Sequence, residues 1–453
     1  MTNTHILILA AGRGSRMKSK QPKVLHQVAG QSMLAHVRNA GQSLNPSRMQ
    51  AVIGFGADQI KYAFGSNLDY LVQEEQLGTG HAVQCAAGDI ENDSVVLVLY
   101  GDVPLVQPKT LAAVVEQADL LGLALLSVNM DNPTGYGRIV RNDQDRVCGI
   151  VEQKDATSEQ LEITEVNTGI LAVKGELLKN WLALLSDDNA AGEYYLTDIV
   201  AMAVADGVEV QAVQPEYDWE VSGANSRKQL AELERMYQKV LADRLLEQGV
   251  TLVDPTRFDL RGSLTAGEDV SIDVNTVFEG EVELGNNVVV GSHCVIRNSK
   301  IESGSVIKPF SHIDGAVIGE NAQIGPYARL REGTELGADV KIGNFVETKK
   351  ARFHTGAKAN HLSYLGDAEI GENTNIGAGT ITCNYDGENK HKTQIGKDVF
   401  VGSNTALVAP VEIAASVTIG AGSVITNSVA KDSLAIARAK QRNIEDWRKK
   451  TAD

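Results

Sequence analysis

The chain has 453 residues, 43% of them hydrophobic and 22% charged. That balance excludes a disordered chain and, at ~150 residues per domain, predicts two or three domains. Forty-two Lys and Arg against 58 Asp and Glu give a formal net charge of −16, which argues against a general nucleic-acid or anionic-membrane binder. Cys85, Cys148, Cys294 and Cys383 are far apart and form no C-x-x-C pair, so they read as reduced thiols. The apolar stretch from His5 to Ala11 is too short for a signal segment and no run approaches ~18 apolar residues, so a cytoplasmic protein without membrane insertion is expected.

In chain order, residues 1–225 alternate short apolar runs with helical stretches. Ile6-Leu7-Ile8-Leu9 and Val95 to Leu99 are continuous apolar runs of strand length, with Ala51 to Gly54 and Ile170 to Val173 as similar candidates. Such runs fit strands buried on both faces. With helices between them, for example Lys109 to Leu121, this half is predicted as α/β with a mostly parallel sheet.

Leu9-Ala-Ala-Gly-Arg-Gly-Ser-Arg-Met-Lys follows the first strand, then Gln21-Pro22-Lys23-Val24-Leu25. It is neither a Walker A loop nor a full G-x-G-x-x-G, because Met17 takes the third glycine position. Gly12-x-Gly14 alone fits a plain strand-to-helix turn equally well. However, Arg13, Arg16, Lys18, Lys20 and Lys23 crowd the glycines, and no Asp or Glu precedes Asp58. A glycine backbone flanked by cations suits a triphosphate. Asp102, in Tyr100-Gly-Asp, follows the 95–99 run. It reads either as a turn residue or as a ligand for a metal–phosphate beyond the carboxyl end of the strand.

From Ser226 to Gln248, Leu230, Leu233, Tyr237, Leu241 and Leu245 recur at helical spacing, predicting one connecting helix, started by Asn225 or Ser226 and ended by Gly249. Three segments result: 1–225, a linker helix 226–250, and 251–453. The last carries a six-residue repeat, seen in Ile318, Ile324, Leu330, Leu336 and Ile342 and again in Ile395, Val401, Leu407, Ile413, Ile419 and Ile425. Six steps scatter around an α-helix but keep one face of a strand, so the pattern predicts a solenoid of short strands. The repeat is interrupted between Ile342 and Ile370, around Asn360-His361, and between Ile376 and Ile395, at Cys383-Asn-Tyr-Asp-Gly-Glu-Asn-Lys-His-Lys. Either interruption reads as loop variation or as a projecting binding insertion. After Ser433 a basic helical tail from Arg438 to Lys450 is expected.

Leu-x-x-Gly-x-Gly-x-Arg-Met…Pro-Lys-x-Leu at 9–25 is similar to the signature of sugar-1-phosphate nucleotidylyltransferases. Gln76-Leu-Gly-Thr-Gly-His-Ala, Tyr100-Gly-Asp, Gly135-Tyr-Gly-Arg, Val151-Glu-Gln-Lys and Glu165-Val-Asn-Thr-Gly continue the likeness in order. With the hexapeptide half, nearly the whole chain resembles the bacterial bifunctional N-acetylglucosamine-1-phosphate uridylyltransferase/glucosamine-1-phosphate N-acetyltransferases. The resemblance implies a Rossmann-like α/β nucleotidyltransferase domain followed by a left-handed parallel β-helix. It implies a homotrimer with sites shared between subunits, Mg2+ as cofactor, and UTP and acetyl-CoA as substrates beside the two sugar phosphates. It further implies UDP-N-acetylglucosamine as the product, feeding cell-wall and lipopolysaccharide synthesis.

Carried over by position, the resemblance implies that Leu9, Ala10, Ala11, Gly12, Lys23, Gln73, Gly78 and Thr79 hold the nucleotide, with Tyr100, Gly101 and Asp102 lining the site. Arg16 and Lys23 would act on the triphosphate, Asp102 and Asn225 would hold Mg2+, and Gly137, Glu152 and Asn167 would contact the sugar. In the second half His361 would be the base, an imidazole being suited to deprotonating an amine near neutral pH; read alone such a histidine is more often a surface or core hydrogen-bonder. Arg331 and Lys349 would bind phosphate, and Tyr364 and Asn375 the sugar. Ala378, Asn384, Tyr385, Ser403, Ala421 and Arg438 would contact acetyl-CoA. Glu332 where proline is common, and Ala437 where serine is common, are slight departures. One rival expectation is a single-activity nucleotidylyltransferase whose solenoid only trimerises; a second is a non-catalytic regulatory or scaffold protein that keeps both folds, which the intact Arg16, Lys23 and Asp102 disfavour.

Overall fold

The computed structural model describes residues 2–447. The chain forms two compact units, Met1–Tyr237 and Gln238–Asp453. The cut between them falls inside the helix Arg227–Glu247. Ser226 Oγ accepts from Gln229 N–H at the start of that helix, and Gly249, at φ +90°, follows its end. Leu233 packs into the first unit's core, while Ala242 and Leu245 pack into the second's. Among the described residues no helix is long and apolar enough to cross a membrane.

The first unit is built on a nine-stranded sheet. Its strands are β1 (Thr4–Ala10), β2 (Arg48–Ile53), β3 (Asp69–Val72), β4 (Val95–Tyr100), β5 (Leu123–Asn129), β6 (Arg138–Arg141), β7 (Val147–Val151), β8 (Glu165–Lys174) and β9 (Val210–Val213). The order is β9-β5-β8-β4-β1-β2-β3, with the β6–β7 hairpin attached beside β8. β1 runs parallel to β2 and β4, β2 to β3, and β5 to β9. The Ile170–Val173 run, grouped by sequence with the parallel strands, belongs instead to β8, which is antiparallel to both its central neighbours. Buriedness alone carries no direction. Ile6 and Ile8 enter one core while Leu7 enters another on the opposite face, the physical reason the run is apolar at every position.

The second unit is a solenoid of short parallel strands in hexapeptide register, consistent with a left-handed β-helix. Three inward columns rise through it. One runs Ile307, Ile324, Ile342, Ala359, Ile376, Val401 and Ile419. A second runs Ile313, Leu330, Thr348 and Leu365. A third runs Ile318, Leu336, Phe353, Ile370, Ile395 and Ile413. All are buried. A step of six therefore moves to the next wall, and three steps return to the same wall one coil on.

Two expectations are corrected here. The first interruption is no insertion: Thr348, Phe353, Ala359 and Leu365 keep the coil going. A polar inward residue is tolerated because Thr348 Oγ1 shares a 2.9 Å hydrogen bond with Thr334 Oγ1. The second interruption is a true insertion, closed by a Tyr385–Lys390 bridge, so Ile376 pairs with Val401 across a longer coil. The tail is not helical from Arg438 through Asp446. Leu434–Ala435 adds a last strand, and Val424 N–H bonds Ala437 O at 2.9 Å. Arg438 to Asp446 is exposed and irregular, and Ile444 and Trp447 stand open to solvent rather than packed on the unit, so no buried face holds a helix there. Residues 448–450 of that expected helix lie outside the described residues.

Candidate active sites

In the first unit the carboxyl ends of β1 and β4 bring the glycine loop and Asp102 together. The short turn Lys23–Leu25 presents Lys23, whose Nζ donates to Asp102 Oδ2 at 2.5 Å and to Asn225 Oδ1 at 2.8 Å. Asn225 is held there because Ala224 N–H bonds the carbonyl of Asp102 at 3.2 Å. Two oxygens, one of them anionic, thus converge on a single cationic point. That donor set fits a hard divalent ion, which takes one or two protein oxygens and completes its shell with phosphate and water. Lys23 lies over Gly14, which sits at φ +61°.

Tyr100 forms the floor beside Asp102. Burial pushes its phenol far above its ordinary value, the Asp102 and Glu152 carboxylates push it further, and a bond to Thr79 opposes them. The ring needs the irregularity in β8 between Asn167 and Leu171: a Cβ at Gly169 would stand 2.5 Å from the ring. Gly137 O accepts from Asn167 N–H at 2.9 Å, placing the β6–β7 hairpin beside β8. Glu152 Oε1 accepts from Thr197 Oγ1 at 3.2 Å. Burial raises its carboxyl, the Thr197 bond opposes this, and Asp155 and Asp198 add to the rise.

Gln73 is buried, and its Nε2 lies 3.1 Å from both Gly78 O and His81 Nδ1. Gly78 has φ +113°, and a Cβ there would press on Tyr194 O at 2.6 Å, so the turn requires glycine. Leu9 O accepts from Gly101 N–H at 3.0 Å, and Ala11 O from Phe55 N–H at 3.1 Å; Ala10 and Ala11 are buried and Gly12 is exposed. Arg16 lies on the exposed turn Ser15–Met17 and shares no hydrogen bond with the Lys23 cluster among the described residues. Arg13 stands 5.6 Å over the Phe55 ring.

In the second unit one corner collects a line of residues from successive coils. Asn344 is in register with His361. His361 O receives Gly379 N–H at 3.4 Å, Ala378 O receives Asn404 N–H at 2.7 Å, and Ser403 O receives Gly422 N–H at 2.8 Å. Arg438 Nη1 donates to Ala421 O at 2.6 Å. His361, Ala378, Ser403, Ala421 and Arg438, scattered in sequence, therefore form one file. His361 is exposed, and its Nδ1 lies 2.8 Å from Asn344 Oδ1. An accepting Asn344 oxygen selects the neutral tautomer with its hydrogen on Nδ1 and the lone pair on Nε2.

Beside this file Arg331 donates to Glu347 Oε1 at 2.8 Å. The Lys349 ammonium is held below its ordinary value, first by Lys390, then by Arg331. Tyr364 is in register with Glu347 and with Ile381. A Cβ at Gly366 would collide with Tyr364 Oη and lie 3.0 Å from Asn384 Nδ2. Asn384 itself donates to Asp367 Oδ2 at 2.5 Å. Tyr385 is exposed on the inserted loop, and Asn375 stands on the neighbouring wall between Lys358 and Phe400. Sequence reading missed His81, Asn344 and Lys390. The lysine could have been found as a cation in the insertion between Ile376 and Ile395, whereas Asn344 depends on coil register and His81 on the turn at Gly78.

Three family models match segments of the chain: the MobA-like NTP transferase domain over residues 6–148, the GMPPB C-terminal domain over 260–358, and the six-repeat bacterial transferase hexapeptide over 392–427. Curated proteins each called bifunctional protein GlmU are similar along nearly the whole chain. The one from Marinobacter nauticus is 59% identical, covering 99% of both chains. That from Stutzerimonas stutzeri is 56% identical, covering 98% of this chain and 99% of its own. That from Acinetobacter baumannii is 53% identical, covering 97% of each.

Proposed function

The chain belongs to the family of bifunctional GlmU proteins, and from that premise we propose that it carries out two successive transfers. The second unit moves an acetyl group from acetyl-CoA to the amine of glucosamine-1-phosphate. The first unit then joins the resulting N-acetylglucosamine-1-phosphate to the uridylyl group of UTP, releasing pyrophosphate. The observation that carries the reading is the convergence of Lys23, Asp102 and Asn225 at the carboxyl end of the sheet.

In the first unit the sugar phosphate attacks the α-phosphorus in line and pyrophosphate departs, so no covalent nucleophile is required. Mg2+, held by Asp102 and Asn225, would supply charge neutralisation on the triphosphate. Lys23 and Arg16 place positive charge against the phosphates, where charge develops in the transition state. Leu9 to Gly12, Gln73, Gly78 and Thr79 orient the nucleotide over Tyr100 and Gly101. Gly137, Glu152 and Asn167 orient the sugar. In the second unit Arg331 and Lys349, with Lys390, face the phosphate, and Tyr364 and Asn375 the sugar. The Nε2 lone pair of His361 takes the proton from the attacking amine. Ala378, Ser403, Ala421 and Arg438, with Asn384 and Tyr385, offer an extended file suited to a long, thin donor such as acetyl-CoA.

The working protein is a cytoplasmic homotrimer. Its support is an outward column at the corner next to His361: His293, Phe310, Tyr327 and Phe345 stack at 4.8, 4.9 and 5.3 Å between rings, with exposed Leu362 beyond them. A continuous exposed apolar stripe of this kind is suited to cover by a second copy.

The test separates the two units. Asp102→Ala is expected to abolish pyrophosphate release from UTP while leaving acetyl transfer near the wild-type rate, and His361→Ala to do the reverse. Loss of both activities in either folded variant would overturn the two-site reading.

A further inference from the structure

On the reading of Gln73 as a nucleotide contact, the surroundings of its amide bear on how the nucleotide site chooses its base. Gln73 N–H bonds Ile53 O at 2.8 Å. A Cβ at Gly54 would stand 3.0 Å from Gln73 O and 3.1 Å from Ala11 Cβ, so Gln73 is a direct neighbour of the glycine loop. A glutamine amide is ambidextrous: one end donates and the other accepts, and a flip reverses what a ligand meets. Here the flip is blocked. Gly78 O can only accept, so Nε2 faces it at 3.1 Å. The second Nε2 hydrogen points at His81 Nδ1, also at 3.1 Å. That bond requires a neutral His81 with its proton on Nε2. Both Nε2 hydrogens are then engaged, and among the described residues both side-chain bonds of Gln73 leave from that nitrogen. Only Oε1 remains, as an acceptor.

We infer that His81 is a specificity-positioning residue: it fixes the Gln73 amide so that Oε1 accepts the ring N3–H of uracil. Cytosine presents a lone pair at that ring atom, so the same oxygen meets it acceptor against acceptor. A site built around one fixed hydrogen bond rejects the base that cannot make it, because the buried group is left unpaired. His81 does not touch the base in this scheme; it acts through Gln73.

The test compares kcat/KM for UTP and CTP, read as pyrophosphate release with N-acetylglucosamine-1-phosphate as acceptor. His81→Leu removes the acceptor and is expected to lower the UTP/CTP preference by about tenfold, chiefly through a higher KM for UTP. His81→Asn, whose Oδ1 replaces Nδ1 as acceptor, is expected to keep the preference within about threefold of wild type. An unchanged preference in a folded His81→Leu protein, or equal losses in both variants, overturns the inference. So does a wild-type protein that uses UTP and CTP equally. Should His81→Leu fail to fold, nitrogen NMR of histidine-labelled wild-type protein decides: a proton on Nε2 supports the inference and a proton on Nδ1 overturns it. A wild-type protein that releases no pyrophosphate from either nucleotide would sink the functional reading itself, which sets that failure apart from the others.

Discussion

At the scale of single residues, two consequences follow from charge and burial. Lys390 sits on the inserted loop, and it is the first cause holding the Lys349 ammonium below its ordinary value. A phosphate placed between such amines relieves their mutual repulsion. Lys390→Ala is therefore expected to raise KM for glucosamine-1-phosphate about tenfold, with a smaller change in kcat, in a steady-state acetylation assay. His5 is buried, with Nε2 2.9 Å from Gln50 Oε1. Burial lowers its folded-state value from the ordinary 6.5, the Gln50 bond opposes this, and Arg48 lowers it further. Below about pH 6.5 the unfolded chain binds a proton here that the folded chain resists, so folding stability falls on acidification and recovers as pH rises. Calorimetric melting between pH 7 and pH 5 should show a drop in Tm that His5→Gln makes shallower; parallel curves would exclude His5 as the group. Lys23 and Asp102 were legible in the sequence because each lies in a motif, and Asn225 was supplied by the resemblance. Their partnership was not, for Lys23 and Asn225 are 202 residues apart. The Gln73–His81 contact was hidden for a different reason: the motif at 76–82 shows His81 and the resemblance supplies Gln73, but only the turn at Gly78 makes them face each other.

Among elements, the solenoid was legible because a period of six suits strands and no helix. The misreading at 342–370 has a simple physical source. A search for aliphatic residues passes over Thr348 and Ala359, yet both are buried on inward columns. Thr334 Oγ1 also donates to Arg331 O at 2.7 Å, so it keeps a partner when Thr348 loses its hydroxyl. Thr348→Val is accordingly expected to change unfolding free energy by less than about 1 kcal/mol. Ile342→Ala, which leaves a cavity on the same stack, should cost about 2–5 kcal/mol. Urea unfolding of the two variants checks the pair, and similar costs would refute the account. The tail was misread for the opposite reason. Helix-forming Ala, Arg and Lys occur there, but propensity without a buried face does not hold a helix.

For the whole molecule, the two units place phosphate chemistry and acyl chemistry in separate cores. In the trimer proposed above, the apolar ladder beside His361 would tie only the second of these to assembly. Phe345 is 56% exposed, so replacing it should leave each chain folded. Phe345→Asp is expected to shift the protein from trimer to monomer in sedimentation. It should cut acetyl transfer at least about tenfold while uridylyl transfer persists. A Phe345→Asp protein that still sediments as a trimer would remove the ladder from the interface.

The file of corner residues from His361 to Arg438 has a metric consequence. Neighbouring parallel strands lie about 4.8 Å apart, so each coil is a graduation on a gauge, and distance along the corner is counted in whole turns of the chain. Splicing in one extra coil between Ala378 and Ser403 would exchange the Ala378–Asn404 bond for equivalent bonds to the new coil yet slide Arg438 one mark farther from the imidazole. A donor of fixed length would then miss one end or the other, and a longer one would fit.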